Sequence, residues 1–440
     1  MNWPQLLSPH RLGQKQGAID QSRSAFEQDY DRIIFSHPFR RLQDKTQVHP
    51  LPVEDFVHTR LTHSLEVSSV GRSLGKKVGE QILKRHATLN KDFSLFDFGA
   101  IVAAASLAHD LGNPPFGHAG EEAISDFFIH HPKGQSLKPF VTESEWADLI
   151  NFEGNAQGFR LLNQKQYGLK LTAATLGAFT KYPCPSFFPE RDKSKKSQKK
   201  FGYFESEKEI FSGVAAQLEL IKINDNSWSR HPLAFLVEAA DDICYSLIDL
   251  EDGCRLGLVS LDETIELIAA ILKDKFKKDK VDKIVGLNEK LGVLRALAIG
   301  QLLDESVAFF LDEERNILDG KFDKALTDEI VSKNALKEIS KISIEKIYRG
   351  RTVVEIEASG HAVLPGLLEE FVLAAQAMQQ NNASRKHKNL QLLLPEETRW
   401  ALSQSESPNQ MLRLIVDFIS GLTDRHALSL YQKINGISFF

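Results

Sequence analysis

Residues 103–124 read AAASLAHDLGNPPFGHAGEEAI, and this stretch decides the fold. Residues 103–108 are small and almost wholly apolar, and with the apolar positions before them they predict a helix over 95–110. Gly112 and the pair Pro114-Pro115 cannot prolong it, so His109 and Asp110 fall at a helix end, ahead of a sharp turn. Gly117 breaks the chain as well, and His118 follows, with Glu121 and Glu122 within one turn of a new helix. The same three-and-four spacing of apolar residues predicts helices over 60–85, 145–163, 207–222, 231–251, 287–311, 361–380 and 409–421. Alternating strand patterns are scarce, with Thr352–Ile356 the best short candidate. The expected fold class is all-α, helices packed on helices with at most a short β element.

The 440 residues are 42% hydrophobic and 26% charged, which suits a globular chain, and the net charge of −5 argues against an overall basic coat for nucleic acid. No run of about 18 apolar residues is present to span a bilayer. The opening MNWPQLLSPHRLGQ has no apolar signal core, so a cytoplasmic protein is expected. Cys184, Cys244 and Cys254 form no CxxC pair, and reduced thiols fit that compartment. Three regions are expected: an N-terminal arm (1–22), a catalytic core (23–255) with an exposed Pro-, Lys- and Ser-rich loop at 183–203, and a C-terminal helical region (256–440) packed on the core and contributing to assembly. The Lys/Asp/Glu-rich stretch 261–346 reads as support for the fold.

The candidate chemistry begins with four scattered ligands: His63, His109, Asp110 and Asp241. Imidazole and carboxylate together suit a divalent ion, with Mg, Mn, Fe, Co, Ni and Zn all compatible. Such an ion can acidify water and brace phosphate oxygens. His63 lies in TRLTHSLEV (59–67) with Arg60 three residues earlier on the same helical face, and a guanidinium beside a metal suits phosphate. His118 and Glu121, three apart, have the spacing at which a carboxylate can orient an imidazole for acid–base work. A helix-capping role for His118 is the plainer alternative.

In VEAADDICYSLIDLEDG (237–253), Asp241, Tyr245 and Asp249 form one helical stripe. Tyr245 can stack on a base or sugar, and Asp249 can accept from a sugar hydroxyl, although a core tyrosine is an equal alternative. FRRLQDKTQV (39–48) supplies Gln47, and NFEGNAQGFRL (151–161) supplies Glu153, Asn155 and Gln157, whose amides suit hydroxyls, bases or phosphates. Lys199 and Lys200 gather charge that can hold a polyphosphate, a solvated face being the plainer reading.

At this point the chain resembles the bacterial deoxyguanosine triphosphate triphosphohydrolases of the HD superfamily. The resemblance rests on RSAFEQDYDRIIFSHPFRRLQDKTQV, TRLTHSLEV, HDLGNPPFGHAGE, FEGNAQ, KKFGYF, EAADDICYSLIDLED and SGLTDRHALSLY, from about residue 23 to 431. It implies an HD-type helical bundle extended by further helices. It implies hydrolysis of a deoxynucleoside triphosphate to deoxynucleoside and inorganic triphosphate, with attack at the α-phosphorus and protonation of the departing 5′-oxygen. The family's metal ligands fall on His63, His109, Asp110 and Asp241, and its catalytic pair on His118 and Glu121. Its phosphate contacts fall on Arg60, Asn155 and Lys200, its sugar 3′-hydroxyl contacts on Gln47 and Asp249, and its sugar- or base-packing residue on Tyr245. The resemblance also implies a homo-oligomer, a hexamer built from dimers, and admits the substrate as an allosteric activator. Two rival readings stay open: an HD hydrolase of another nucleotide such as guanosine tetraphosphate, and a nucleotide-sensing or single-strand nucleic-acid-binding protein.

Overall fold

Apolar residues three and four apart become helices in nearly every stretch where that spacing occurs. The computed structural model describes residues 1–13, 22–48, 58–189 and 191–437. The helices that position the site are α1 (Ala25–Ile34), α2 (Arg60–Arg85), α3 (Leu95–Ala108), α4 (Gly117–His130), α5 (Gly154–Asn163), α6 (Pro232–Arg255), α7 (Leu287–Asp312), α8 (Arg351–Gln379), α9 (Pro408–Ser420) and α10 (Asp424–Ile434). Among the described residues the sheet content is one antiparallel hairpin, β1 (Lys222–Asn224) with β2 (Ser227–Trp228). The fold is therefore all-α, as its sequence pattern requires.

Helices α2 and α3 pack antiparallel through a row of glycines. A Cβ at Gly75 would lie 2.6 Å from the Phe98 carbonyl oxygen, so only hydrogen fits there, and Gly71 and Gly79 meet α3 equally closely. This close packing brings the start of α2, with His63, beside the end of α3, with His109.

The buried side chains divide into two apolar cores. The first joins α2, α3, α6 and α7 through residues such as Val67, Phe98, Ile243 and Leu302. The second joins α4, α8, α9 and α10 through Phe127, Phe128, Leu367, Ile415 and Ala427. The turn after α3 bridges them, with Leu111 in the first core and Phe116 in the second.

Several expectations change in space. Thr352–Ile356 is the first turns of α8, not a strand. Val353 is buried and Val354 exposed, and Val353 with Ile356 repeats at helical spacing, which outweighs the short β-branched run. The helix expected over 145–163 breaks between Ile150 and Gly154, where Asn151 turns back to donate to the Ala147 carbonyl oxygen at 2.8 Å.

The N-terminal segment is no arm where it is described: Trp3, Leu6 and Leu7 are buried in the first core. Residues 14–21 of that segment lie outside the described residues. The loop at 183–203 is exposed chiefly at 192–195, whereas 183–185 and 201–203 are buried. Its course is pinned by Ser197, whose N–H donates to Asp323 at 3.1 Å, and by Gly202, whose N–H donates to the Cys184 carbonyl at 3.0 Å. Residue 190 of that loop lies outside the described residues. The segment after residue 255 serves both cores, α7 the first and α8 to α10 the second.

Candidate active site

His63 sits in the first turn of α2, behind a Thr59 N-cap. His109 caps the end of α3, and its Nδ1 lies 2.7 Å from the Ser106 carbonyl oxygen. A carbonyl oxygen only accepts, so Nδ1 carries a proton, and Nε2 is the ring nitrogen turned toward the neighbouring acids. His109 Nε2 lies 3.4 Å from Asp110 Oδ1 and 3.5 Å from Asp241 Oδ1, and His63 Nε2 lies 3.2 Å from the same Asp241 oxygen. Metal–ligand bonds of about 2.1 Å set neighbouring ligand atoms roughly 3.0–3.5 Å apart. The spacing and the donor chemistry of these four residues therefore fit a divalent ion, and His63, His109 and Asp110 converge in the manner of a metal site.

The electrostatics point the same way. Burial opposes charge on His109, Asp110 and Asp241. Even so, His109 and Arg60 hold the Asp110 carboxyl at about 2, and the two histidines hold Asp241 well below the usual range. Asp110 and Asp241 in turn overcome burial to lift His109 to about 9. Arg60 braces Asp110 from outside, Nη1 to Oδ2 at 2.8 Å, and Asn113 donates to Oδ1 at 2.6 Å.

These groups open onto a cavity of about 470 Å³, a size suited to a nucleotide-scale ligand. Of the residues singled out by sequence, Gln47, Arg60, His63, His109, Asp110, His118, Glu121, Asn155, Lys200, Asp241 and Tyr245 all line it. Gln47 Oε1 is buried without a hydrogen-bond partner among the described residues and so remains an open acceptor. Asp249 does not line the cavity. Its carboxylate is engaged behind the wall by the Tyr348 hydroxyl, which donates at 2.6 Å, and Tyr348 stacks on Tyr245 with centroids 5.5 Å apart. Gln157 is also removed from the cavity, donating to Asp417 at 2.8 Å and accepting from Arg413 at 3.2 Å.

His118 stands exposed at the rim on the second residue of α4 and makes no cap bond; Phe116 is the cap residue. The capping alternative is thereby removed. Partial burial and the nearby cations Lys200 and Arg60 lower its pKa below the ordinary histidine value, so the free imidazole is neutral at pH 7. The expected partnership with Glu121 takes another form. Glu121 Oε1 accepts from the Gly154 N–H at 2.7 Å and its other oxygen lies 3.6 Å from Lys200, which also donates to Glu153 at 3.0 Å. Glu153 in turn accepts from the Asn155 amide at 2.7 Å. Burial raises both glutamates, and their charge raises Lys200 against its own burial.

The turn and α5 meet backbone to backbone: a Cβ on Gly112 would lie 2.0 Å from the Gly154 carbonyl oxygen. Gly112→Ala is expected to lose about 1–3 kcal/mol of stability by overpacking, seen as a lower urea midpoint at unchanged slope.

The lining also takes in residues that the sequence did not place there, among them Lys181, Tyr182, Glu238, Tyr348, Val353, Ile356 and Glu357. Lys181 pairs with buried Glu238 at 3.1 Å, and Tyr348 follows a wider, π-type turn at Ser343–Ile347. Across the lining, six carboxylates (Asp110, Glu121, Glu153, Glu238, Asp241, Glu357) face three fixed cations (Arg60, Lys181, Lys200). Such a wall repels a polyanion unless further positive charge is bound.

The HD domain family matches residues 60–143, and the phosphohydrolase-associated domain family matches residues 326–433. The chain is 42% identical to a deoxyguanosinetriphosphate triphosphohydrolase-like protein of Synechocystis sp., over all of both chains. It is 38% identical to a like-named protein of Pseudomonas aeruginosa, over 100% of this chain and 99% of that one. It is 30% identical to the deoxyguanosinetriphosphate triphosphohydrolase of Salmonella paratyphi A, over 94% of each. Full-length similarity at this level, with the HD histidines and aspartates gathered at one cavity, makes the chain a member of the deoxyguanosinetriphosphate triphosphohydrolase family of HD-domain enzymes.

Proposed function

We propose that the protein hydrolyses deoxynucleoside triphosphates to deoxynucleoside and inorganic triphosphate. The observation that carries this reading is one cavity with a four-residue metal-type cluster, three fixed cations and an aromatic pair on its walls. His63, His109, Asp110 and Asp241 would hold a divalent ion. When bound, that ion acidifies water and offsets phosphate charge. Arg60, Lys181 and Lys200 take the phosphate oxygens, with Asn155 beside them. Water adds to the α-phosphorus, the bond to the sugar 5′-oxygen breaks, and that oxygen needs a proton. His118 supplies it: neutral in the free enzyme, it gains basicity as the polyanion enters, because opposite charge favours the protonated form. Glu121 holds Lys200 and the start of α5 in place rather than touching the imidazole. Gln47 accepts from the sugar 3′-hydroxyl through its open oxygen. Tyr245, braced by Tyr348 and by the Asp249 carboxylate behind it, packs against the sugar and discriminates at C2′.

Metal-reconstituted protein, given each of the four deoxynucleoside triphosphates singly and mixed, is expected to release intact triphosphate resolved by ion-exchange chromatography. Release of monophosphate and pyrophosphate, or of nothing, would sink the reading. Glu357, on α8 with Val353 and Ile356, is an acceptor-only carboxylate, and guanine presents two N–H donors on one edge. Glu357→Gln is expected to reduce the dGTP-over-dATP ratio of kcat/KM at least tenfold, in the range of one lost paired contact. An unchanged ratio would free Glu357 from base reading.

A further inference from the structure

The turn that presents His118 is not self-supporting. Phe116 begins α4 with φ of 65°, a left-handed conformation rare for a bulky residue, and no side chain of its own caps that helix. Its N–H is taken instead by a group 308 residues away: Asp424 Oδ1 accepts it at 3.1 Å. The other oxygen of the same carboxylate, Oδ2, accepts the N–H of Thr46 at 3.0 Å, one residue before Gln47. Asp424 is buried, and the capping of its own helix falls to Thr423. Beside it, buried Lys45 donates to the Asn113 carbonyl and, at 2.9 Å, to the Ser420 carbonyl. Residues 45–47, 113–118 and 420–424 are thus joined through two side chains that do not line the cavity.

We propose that Asp424 is a positioning residue for the hydrolysis, its carboxylate fixing the Phe116 and Thr46 backbones so that His118 and Gln47 address the same substrate. A carboxylate is the one common side chain that accepts two divergent backbone N–H groups at once without donating. Asparagine has nearly the same shape, but its amide nitrogen would face an N–H, so one of the two joints must open. This inference rests on the reading of His118 and Gln47 given above.

The test compares wild type, Asp424→Asn and Lys45→Met by triphosphate release, well below each melting temperature measured calorimetrically. Misplacing a catalytic group by about 1 Å can cost on the order of a hundredfold in rate. Asp424→Asn is therefore expected to lower kcat roughly 10- to 100-fold, with KM within about threefold and the metal-induced rise in Tm retained. Lys45→Met, which opens the clamp from its other side, is expected to follow the same pattern. A lowered Tm with kcat within about twofold of wild type would mark the residue as merely structural and overturn the proposal. If Asp424→Asn does not fold, the kcat of Lys45→Met decides by the same criterion. An inactive wild type would instead overturn the hydrolysis reading itself, and an active one with indifferent variants overturns only the positioning role.

Discussion

His118→Ala is expected to lower kcat by about 10²- to 10⁴-fold, the range over which a positioned acid–base group acts. The structure makes this substitution unusually clean. His118 is exposed at the cavity rim, caps nothing, and leaves the Glu121–Gly154–Lys200 cluster intact when removed. Stability should therefore stay within about 0.5 kcal/mol, as for an ordinary surface change. KM and the metal-induced rise in Tm should be preserved, because neither the cations nor the metal-type cluster uses this ring. Full turnover in the variant would remove His118 from the chemistry, and a collapse of Tm would mean that its role is architectural.

Asp241→Asn is expected to have a comparable effect by a different route. Asp241 Oδ1 lies within 3.5 Å of Nε2 of both histidines, so loss of its charge opens the cluster at the point where α6 meets α2 and α3. In wild type, adding metal at 100 to 1,000 times its dissociation constant should stabilise the fold by about 2.7–4.1 kcal/mol. In the variant that increment should largely vanish, and triphosphate release should vanish with it. The comparison is made between chelated and metal-loaded samples of each protein, so any change in baseline stability cancels. An unaltered increment would move the ion elsewhere.

Much of this arrangement was legible in the chain because the residues lie on helices whose period is regular. The run before His109-Asp110 and the break at Pro114-Pro115 locate a helix end, and His63 falls opposite it once the glycines of α2 let the two helices touch. Asp241 and Tyr245 share a stripe, which puts both on the cavity side. The stripe logic fails one turn further on: Asp249 keeps the direction, but Tyr348 arrives from 99 residues away and stands between it and the cavity.

Long-range partners also explain Glu121, whose oxygens go to Gly154 and Lys200 instead of to the imidazole three residues before it. Lys181, Glu238 and Glu357 carry no local pattern that separates a cavity wall from an ordinary charged face. The strand expected at Thr352–Ile356 fails because five residues, four of them β-branched, fit either period, and the buried positions of α8 beyond them decide for the helix. The boundary at residue 255 has no counterpart in the two cores, since apolar composition does not say which core a helix joins.

The seam between those cores has a consequence for how the protein comes into being on the ribosome. Every residue of the metal-type cluster has been synthesised by Asp241, and the helices that hold the cluster belong to the first core. The second core needs Phe116, Phe127 and Phe204 to meet Leu367, Ile415 and Ala427, so it closes only after residue 427 has been made. A nascent chain that has reached Asp241 contains all four ligand residues, yet its His118 turn lacks the Asp424 contact until α10 is made. Assembly of the site thus depends on α10, and a chain ended before Asp424 would carry the cluster without the support of the His118 turn.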